Sequence, residues 1–167
     1  FDDSAWKPAA TVGPAGAKPW GDITITDASQ ALPARMLRHE FDAPKVRRAI
    51  ACLSGLGYHE LHLNGRKAGD RVLEPALTDY DHRVPVSYYD VTELLRDGRN
   101  AIGLWLGNGR YPAPDTEVPT PTRSFGAPLA RLQLHLDLED GSQKNIRSDG
   151  SWLATDRRPI RRTNDYD

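Results

Sequence analysis

Cysteine, methionine and long apolar runs are nearly missing from this chain of 167 residues, which has one cysteine and one methionine. A single thiol forms no internal disulfide, so the fold must be held by a packed core. Cys52 lies in the apolar run 49–53 and reads as a buried, inert thiol. No stretch approaches the roughly 18 consecutive apolar residues of a membrane-spanning helix, so no membrane partner is expected. Neither charge sign dominates: 22 basic and 23 acidic residues leave a net charge of −1, with no block long enough for a nucleic-acid-binding arm. Nucleic acid is therefore not an expected partner. The most basic stretch, Arg157-Arg158-Pro159-Ile160-Arg161-Arg162, reads as a solvated linker face. Phosphate-loop and dinucleotide fingerprints are absent. Ser54, in Leu53-Ser54-Gly55, lacks the elbow spacing of a hydrolase nucleophile. The start, Phe1-Asp2-Asp3-Ser4, is acidic and polar, unlike a signal peptide; without a leading methionine it reads as the edge of an excised or processed piece.

Helical periodicity is scarce as well, and short alternating runs take its place. Residues 1–22 are rich in proline, glycine and small side chains, with Trp6 and Trp20 as anchors, and read as a linker or the tail of a preceding module. From residue 23 to 167 the texture is that of strands separated by turns. Runs at 22–26, 35–41, 45–54, 58–64, 84–90, 100–106, 132–138 and 142–148 each read as a strand. In 58–64, Leu61 and Leu63 share one face and Glu60 and His62 the other. The clearest run has leucine at 132, 134, 136 and 138, alternating with Gln133, His135 and Asp137. Asn64-Gly65 suits a tight hairpin, and Asp140-Gly141 and Asp149-Gly150 mark further turns. The one helical candidate is 91–96, with Asp90 as cap and Glu93 at capping-box spacing, ended by Gly98. Seven or more strands with one short helical turn predict an all-β sandwich, barrel or jelly roll.

The segment 54–111 carries something more specific. Ser54-Gly55-Leu56-Gly57-Tyr58, Glu60-Leu61, Leu63-Asn64-Gly65 and Gly69-Asp70 come first. Leu73, Pro75, Thr78-Asp79-Tyr80, Arg83 and Tyr89-Asp90-Val91-Thr92 follow in order. Leu95, Gly98, Asn100-Ala101-Ile102-Gly103, Leu106-Gly107-Asn108-Gly109 and Tyr111 close the set, and Asp140-Gly141-Ser142 and Ser151-Trp152 extend it. Together they resemble the N-terminal domain of bacterial α-L-rhamnosidases over roughly residues 35–167. The resemblance implies a galactose-binding-like or jelly-roll β-sandwich that is not itself catalytic. It would support the catalytic domain of a parent glycoside hydrolase, a separate helical barrel removing α-L-rhamnose with inversion. It also points to a bacterial parent, secreted or periplasmic. Asn164-Asp165-Tyr166-Asp167 resembles the start of the next domain.

Candidate chemistry is thin. Asp79 and Asp81, two apart, would share a face if extended. Neighbours on one strand leave no room for a sugar between two carboxyls, which glycoside hydrolysis needs about 5 to 9.5 Å apart. A loop role, capping turns or holding a cation, fits them better. His59 and His62 point to opposite faces and cannot share a metal, and His39 and His135 read as surface or rim residues. The resemblance offers a second function, an autonomous rhamnose-binding module assisted by calcium. It assigns carbohydrate contact to Asp79, Tyr80, Asp81, Asn108 and Tyr111, with calcium at Asp81. The chain departs from the sugar-binding relatives at His82, where an asparagine is expected, and at Leu77 and Arg110, where aromatics are usual. Histidine brings a nitrogen where calcium prefers oxygen, and lost aromatic faces weaken stacking on a pyranose. Residues 112–128, with five prolines, read as a long loop that docks onto the parent enzyme.

Overall fold

Leucine at every second position from 132 to 138 demands a strand with one dry face. In the computed structural model these residues lie in such a strand, Leu129–Leu138. The structure describes residues 4–5, 7–8, 34–112 and 125–157. Within them the strands are β1 (Lys7–Pro8), β2 (Arg35–Ala43), β3 (Val46–Leu56), β4 (His59–Leu63) and β5 (Arg66–Lys67). They continue as β6 (Ser87–Asp90), β7 (Gly98–Leu106), β8 (Leu129–Leu138), β9 (Gln143–Arg147) and β10 (Leu153–Thr155). Every pairing is antiparallel, and two sheets result, ordered β1-β10-β2-β7-β4-β5 and β6-β3-β8-β9. The all-β sandwich expected from the sequence is the observed architecture.

The inner faces hold the core. Leu132, Leu134 and Leu136 of β8 are at most 1% exposed and lie opposite Leu53, Ala51 and Ala49 of β3 in register. Small side chains beside large ones let the facing sheet come close, where Leu61, Leu63, Ile102 and Leu104 fill the layer. Trp152, just before β10, is the largest fully buried side chain, and its indole N–H donates to the Arg147 carbonyl at 3.0 Å. The turns behave as their residues require. Asn64 and Gly65 both take left-handed φ, 51° and 80°, as a two-residue hairpin between β4 and β5 demands. Asn64 Nδ2 donates to Asn100 Oδ1 at 2.9 Å and to the Leu94 carbonyl at 2.8 Å, while its Oδ1 accepts the Ala101 N–H at 3.0 Å. Asn100, 1% exposed, donates in turn to the carbonyls of Arg96 and Gly98. A buried amide so fully bonded carries no desolvation penalty.

Three expectations need correction. The helix expected over 91–96 is a 3-10 turn, Thr92–Leu94, and the N–H and hydroxyl of Thr92 both donate to Asp90 Oδ1 in place of a capping box. Gly98, with φ of 86°, turns the chain straight into β7. The strand expected from residue 84 pairs only from Ser87. Cys52 is half-buried, not buried: it alternates with Ala51 and Leu53 and so lies on the outer face, opposite Tyr88 in the ladder. Desolvation there pushes its thiol pKa up, away from the reactive thiolate form. The strand at 22–26, Trp6 and Trp20, the boundary near residue 22, most of the proline-rich loop and the end of the chain lie outside the described residues.

Leu134→Ala is expected to cost about 2–5 kcal/mol in urea unfolding, whereas His135→Ala, on the exposed side of the same strand, changes stability by less than about 0.5 kcal/mol. Equal costs at the two positions would contradict the assigned faces.

Candidate functional site

The connection from β5 to β6 brings the candidate residues to one rim of the sandwich. Its central turn forms because Asp79 bonds forward: its carbonyl accepts the N–H groups of His82 and Arg83, at 3.0 and 2.8 Å. Asp79 Oδ1 accepts the Asp81 N–H at 3.2 Å, and its Oδ2 meets His82 Nδ1 at 2.8 Å. The two aspartates therefore share a turn, not the face of a strand, and Asp79 spends both carboxylate oxygens inside it. Among the described residues, no three His, Cys, Asp or Glu side chains come together as a metal cluster would require.

Tyr80 and Tyr111 do meet. Their rings lie edge to face with centroids 5.1 Å apart, and Phe125 completes the group at 5.3 Å from Tyr80 and 5.7 Å from Tyr111. Such contacts hold aromatic side chains in fixed orientations, and burial raises the pKa of both tyrosines. Beside them lies a shallow pocket of about 80 Å³ walled by Gly57, Tyr58, Leu73, Pro75, Leu77 and Tyr80. That is well under the roughly 300 Å³ at which enclosed small-molecule sites begin. Asn108 is buried at 2% exposure, behind this surface and next to Gly57. Gly57 is there for a reason: its φ is 114°, and a Cβ would stand 2.3 Å from the Gly107 carbonyl oxygen.

Behind the loop is a polar network absent from the sequence reading. The Glu74 carboxylate accepts from Ser87 Oγ at 2.8 Å, from Arg71 at 2.6 Å and from the Tyr89 hydroxyl. The Glu74 carbonyl also accepts the His59 N–H at 2.7 Å. Because Tyr89 gives its one proton to Glu74, its oxygen must accept from His59 Nε2, 3.2 Å away. Nδ1 of His59 then carries the bare lone pair. It is buried without a partner, against Gly55, where a Cβ would come within 2.3 Å of it. Burial lowers the His59 pKa, more than the nearby Glu74 charge raises it. Burial alone would raise the Glu74 pKa, but the bonds from Tyr89, Arg71 and Ser87 outweigh it and leave it lowered. Burial and then the bond to Glu74 push the Tyr89 pKa up. His62 faces away, stacked on Trp105 at 5.6 Å, so the two histidines are divided as the alternation required. His39 is half-buried at the rim, stacked on Trp152, and His135 is exposed.

Residues 44–167 match the model of the α-L-rhamnosidase N-terminal domain family. The chain belongs to this family. An α-L-rhamnosidase of Streptomyces avermitilis is 41% identical over 157 residues, which is 92% of this chain and 15% of that protein. A second, from Formosa agariphila, is 38% identical over 117 residues, 65% of this chain and 12% of that protein. The solved structure of the Streptomyces avermitilis enzyme complexed with L-rhamnose superposes with a TM-score of 0.68 at 37% identity, covering 93% of this chain and 15% of the other. That of the Dictyoglumus thermophilum enzyme gives 0.66 at 42% identity, covering 74% and 13%. The rhamnosidase N-terminal domain thus spans only 12–15% of the curated relatives it matches here. Among the motif residues that resemble the family, Asn64, Gly65 and Asn100 hold turns, and Tyr89 joins the Glu74 network. Glu74 and Phe125 had no signal of their own: one reads as a loop carboxylate, the other lies in the proline-rich stretch.

Tyr89→Phe removes the partner of Glu74 Oε2 and of His59 Nε2, and is expected to cost about 1–3 kcal/mol in denaturant unfolding, with the outward Tyr88→Phe near neutral. The folded state holds the His59 pKa below its ordinary 6.5. The stability it contributes is therefore complete above pH 6.5 and lost as the pH falls below that value. Glu74, held below 4.5, adds a second loss in stronger acid. An imidazole titration of His59 by NMR should have its midpoint below 6.5; a midpoint above it would refute the assigned environment.

Proposed function

We propose that this domain is the non-catalytic ancillary β-sandwich of an α-L-rhamnosidase, a glycoside hydrolase whose inverting catalytic domain lies elsewhere in the same polypeptide. The observation that carries this reading is the family match over 44–167 combined with relatives of which the matched stretch is only 12–15% of the length. The geometry agrees with it: the space between the sheets is filled by leucines, and Asp79 and Asp81 share one exposed turn. The domain then stabilises or orients the catalytic domain, its partner in the chain.

One observation favours a second role, contact with rhamnose-containing carbohydrate. Tyr80, Tyr111 and Phe125 present grouped rings beside the turn that carries Asp79 and Asp81. Aromatic faces stack on the apolar side of a pyranose. Calcium at Asp81 would draw on sugar hydroxyls and carbonyl oxygens for its remaining ligands. Asn108 supports this surface from beneath, as its burial suits.

Calorimetric titration of the chain with L-rhamnose, with calcium and then with chelator, separates the two roles. The ancillary reading expects no heat under either condition. Heat abolished by chelator and by Asp81→Ala would establish the carbohydrate-binding module instead. Hydrolysis of an aryl α-L-rhamnoside by this chain alone would overturn both.

A further inference from the structure

We propose that the apolar strip Val84-Val86-Tyr88, with Val72, Leu73 and Leu77 exposed on the same β5–β6 connection, is the surface by which this domain docks onto the remainder of its own polypeptide. The inference rests on the ancillary reading above and gives it a place on the molecule.

Among the described residues, the large apolar side chains left exposed are these six, and all fall between β5 and the end of β6. Surface leucines and valines scattered singly mean little. Here three of them recur at every second residue of one short segment. Val84, Val86 and Tyr88 alternate with Pro85, Ser87 and Tyr89, the last two buried, and all three are exposed. Tyr88 is 61% exposed, although it sits in a strand and faces the half-buried Cys52 across the ladder. Among the described residues β6 is also an edge strand, bonded to β3 on one side only. An open edge that displays an apolar row invites pairing with other chains, and proteins ordinarily charge it or cover it. No charged side chain interrupts this row between residues 84 and 89.

The strip is built rather than loose. Glu74 grips it from behind through Ser87 and Tyr89 on β6 and through Arg71 at the start of the loop. A preformed surface loses little entropy on contact.

Its size selects the occupant. Six side chains are a small patch beside the roughly 1,200–2,000 Å² that free partners bury in a stable complex. A partner on the same polypeptide is held at an effective concentration of about millimolar, which lets a small patch suffice. The chain accounts for 15% of the length of its Streptomyces avermitilis relative, so the ancillary reading supplies such a tethered partner. A second copy or a separate protein would have to bind through this patch without that advantage.

Hydrogen exchange on the 167-residue chain and on the full-length polypeptide that contains it tests the proposal. Amides of Val84, Val86, Ser87 and Tyr88 should exchange at least about tenfold more slowly in the longer form. The paired substitution Val86→Lys with Tyr88→Lys should abolish that slowing. The same pair should leave the melting temperature of the short chain within about 2 °C, since the side chains it alters are exposed there. Equal exchange in both forms would overturn the proposal. So would slowing in the short chain that grows with its concentration, which would mark a contact between copies. Hydrolysis of an aryl α-L-rhamnoside by the long form, read in parallel, keeps the two claims apart. Activity with unchanged exchange overturns the docking surface alone, and absent activity overturns the ancillary reading.

Discussion

The fit of β8 leucines against β3 alanines sets the terms for the rest of the molecule. Ala49 and Ala51, fully buried, keep the layer thin enough for Leu61, Leu63, Ile102 and Leu104 to reach across from the other sheet. An interior packed that densely with hydrocarbon has no place for water, a charged group or a substrate. Whatever the domain recognises must therefore meet it at a rim, an outer face or an edge. The aromatic group, the Asp79 turn and the apolar strip all lie in such places.

The buried polar side chains among the described residues are His59, Ser87, Asn100 and Asn108, and all but Asn108 belong to two hydrogen-bonded knots at the margins of the core. Asn64 and Asn100 tie the β4–β5 hairpin to the 3-10 turn and to β7. Glu74, Tyr89 and His59 tie the long β5–β6 connection to both sheets, since His59 belongs to β4 and Tyr89 to β6. Networks like these stabilise only when every member is satisfied. His59 Nδ1 is the exception, and it makes this knot sensitive to acid. The same knot holds Leu73, Pro75 and the turn beyond them, so the candidate sugar-facing surface and the apolar strip share one anchor.

This arrangement explains why family membership is easier to recognise here than function. Gly57, Asn64-Gly65 and Asn100 carry much of the likeness to the rhamnosidase N-terminal domains, and each answers a demand of the backbone or the core. The side chains a ligand would touch are few and lie on turns, where replacement costs little stability. Leu77 and His82, where the resemblance would place an aromatic and an asparagine, are both exposed.

Period-two alternation made the strands from 35 to 148 legible, because a strand's faces are decided by neighbours two residues away. The Asn64-Gly65 hairpin and the opposed histidines of β4 were legible for the same local reason. The one helix expected, over 91–96, failed because Leu95 already takes extended backbone angles, which ends the 3-10 turn after three residues. Cys52 was misjudged because an apolar run does not say which of its members faces the core. Glu74 meets Tyr89 across 15 residues of sequence, and Tyr80 meets Phe125 from the far side of β6 and β7. Sequence alone determined the strands, their faces and the family, since these follow from local geometry and spacing. Only the closed sandwich decided which loop residues touch and which apolar side chains stay uncovered, because those contacts form between segments that the chain's local order does not relate.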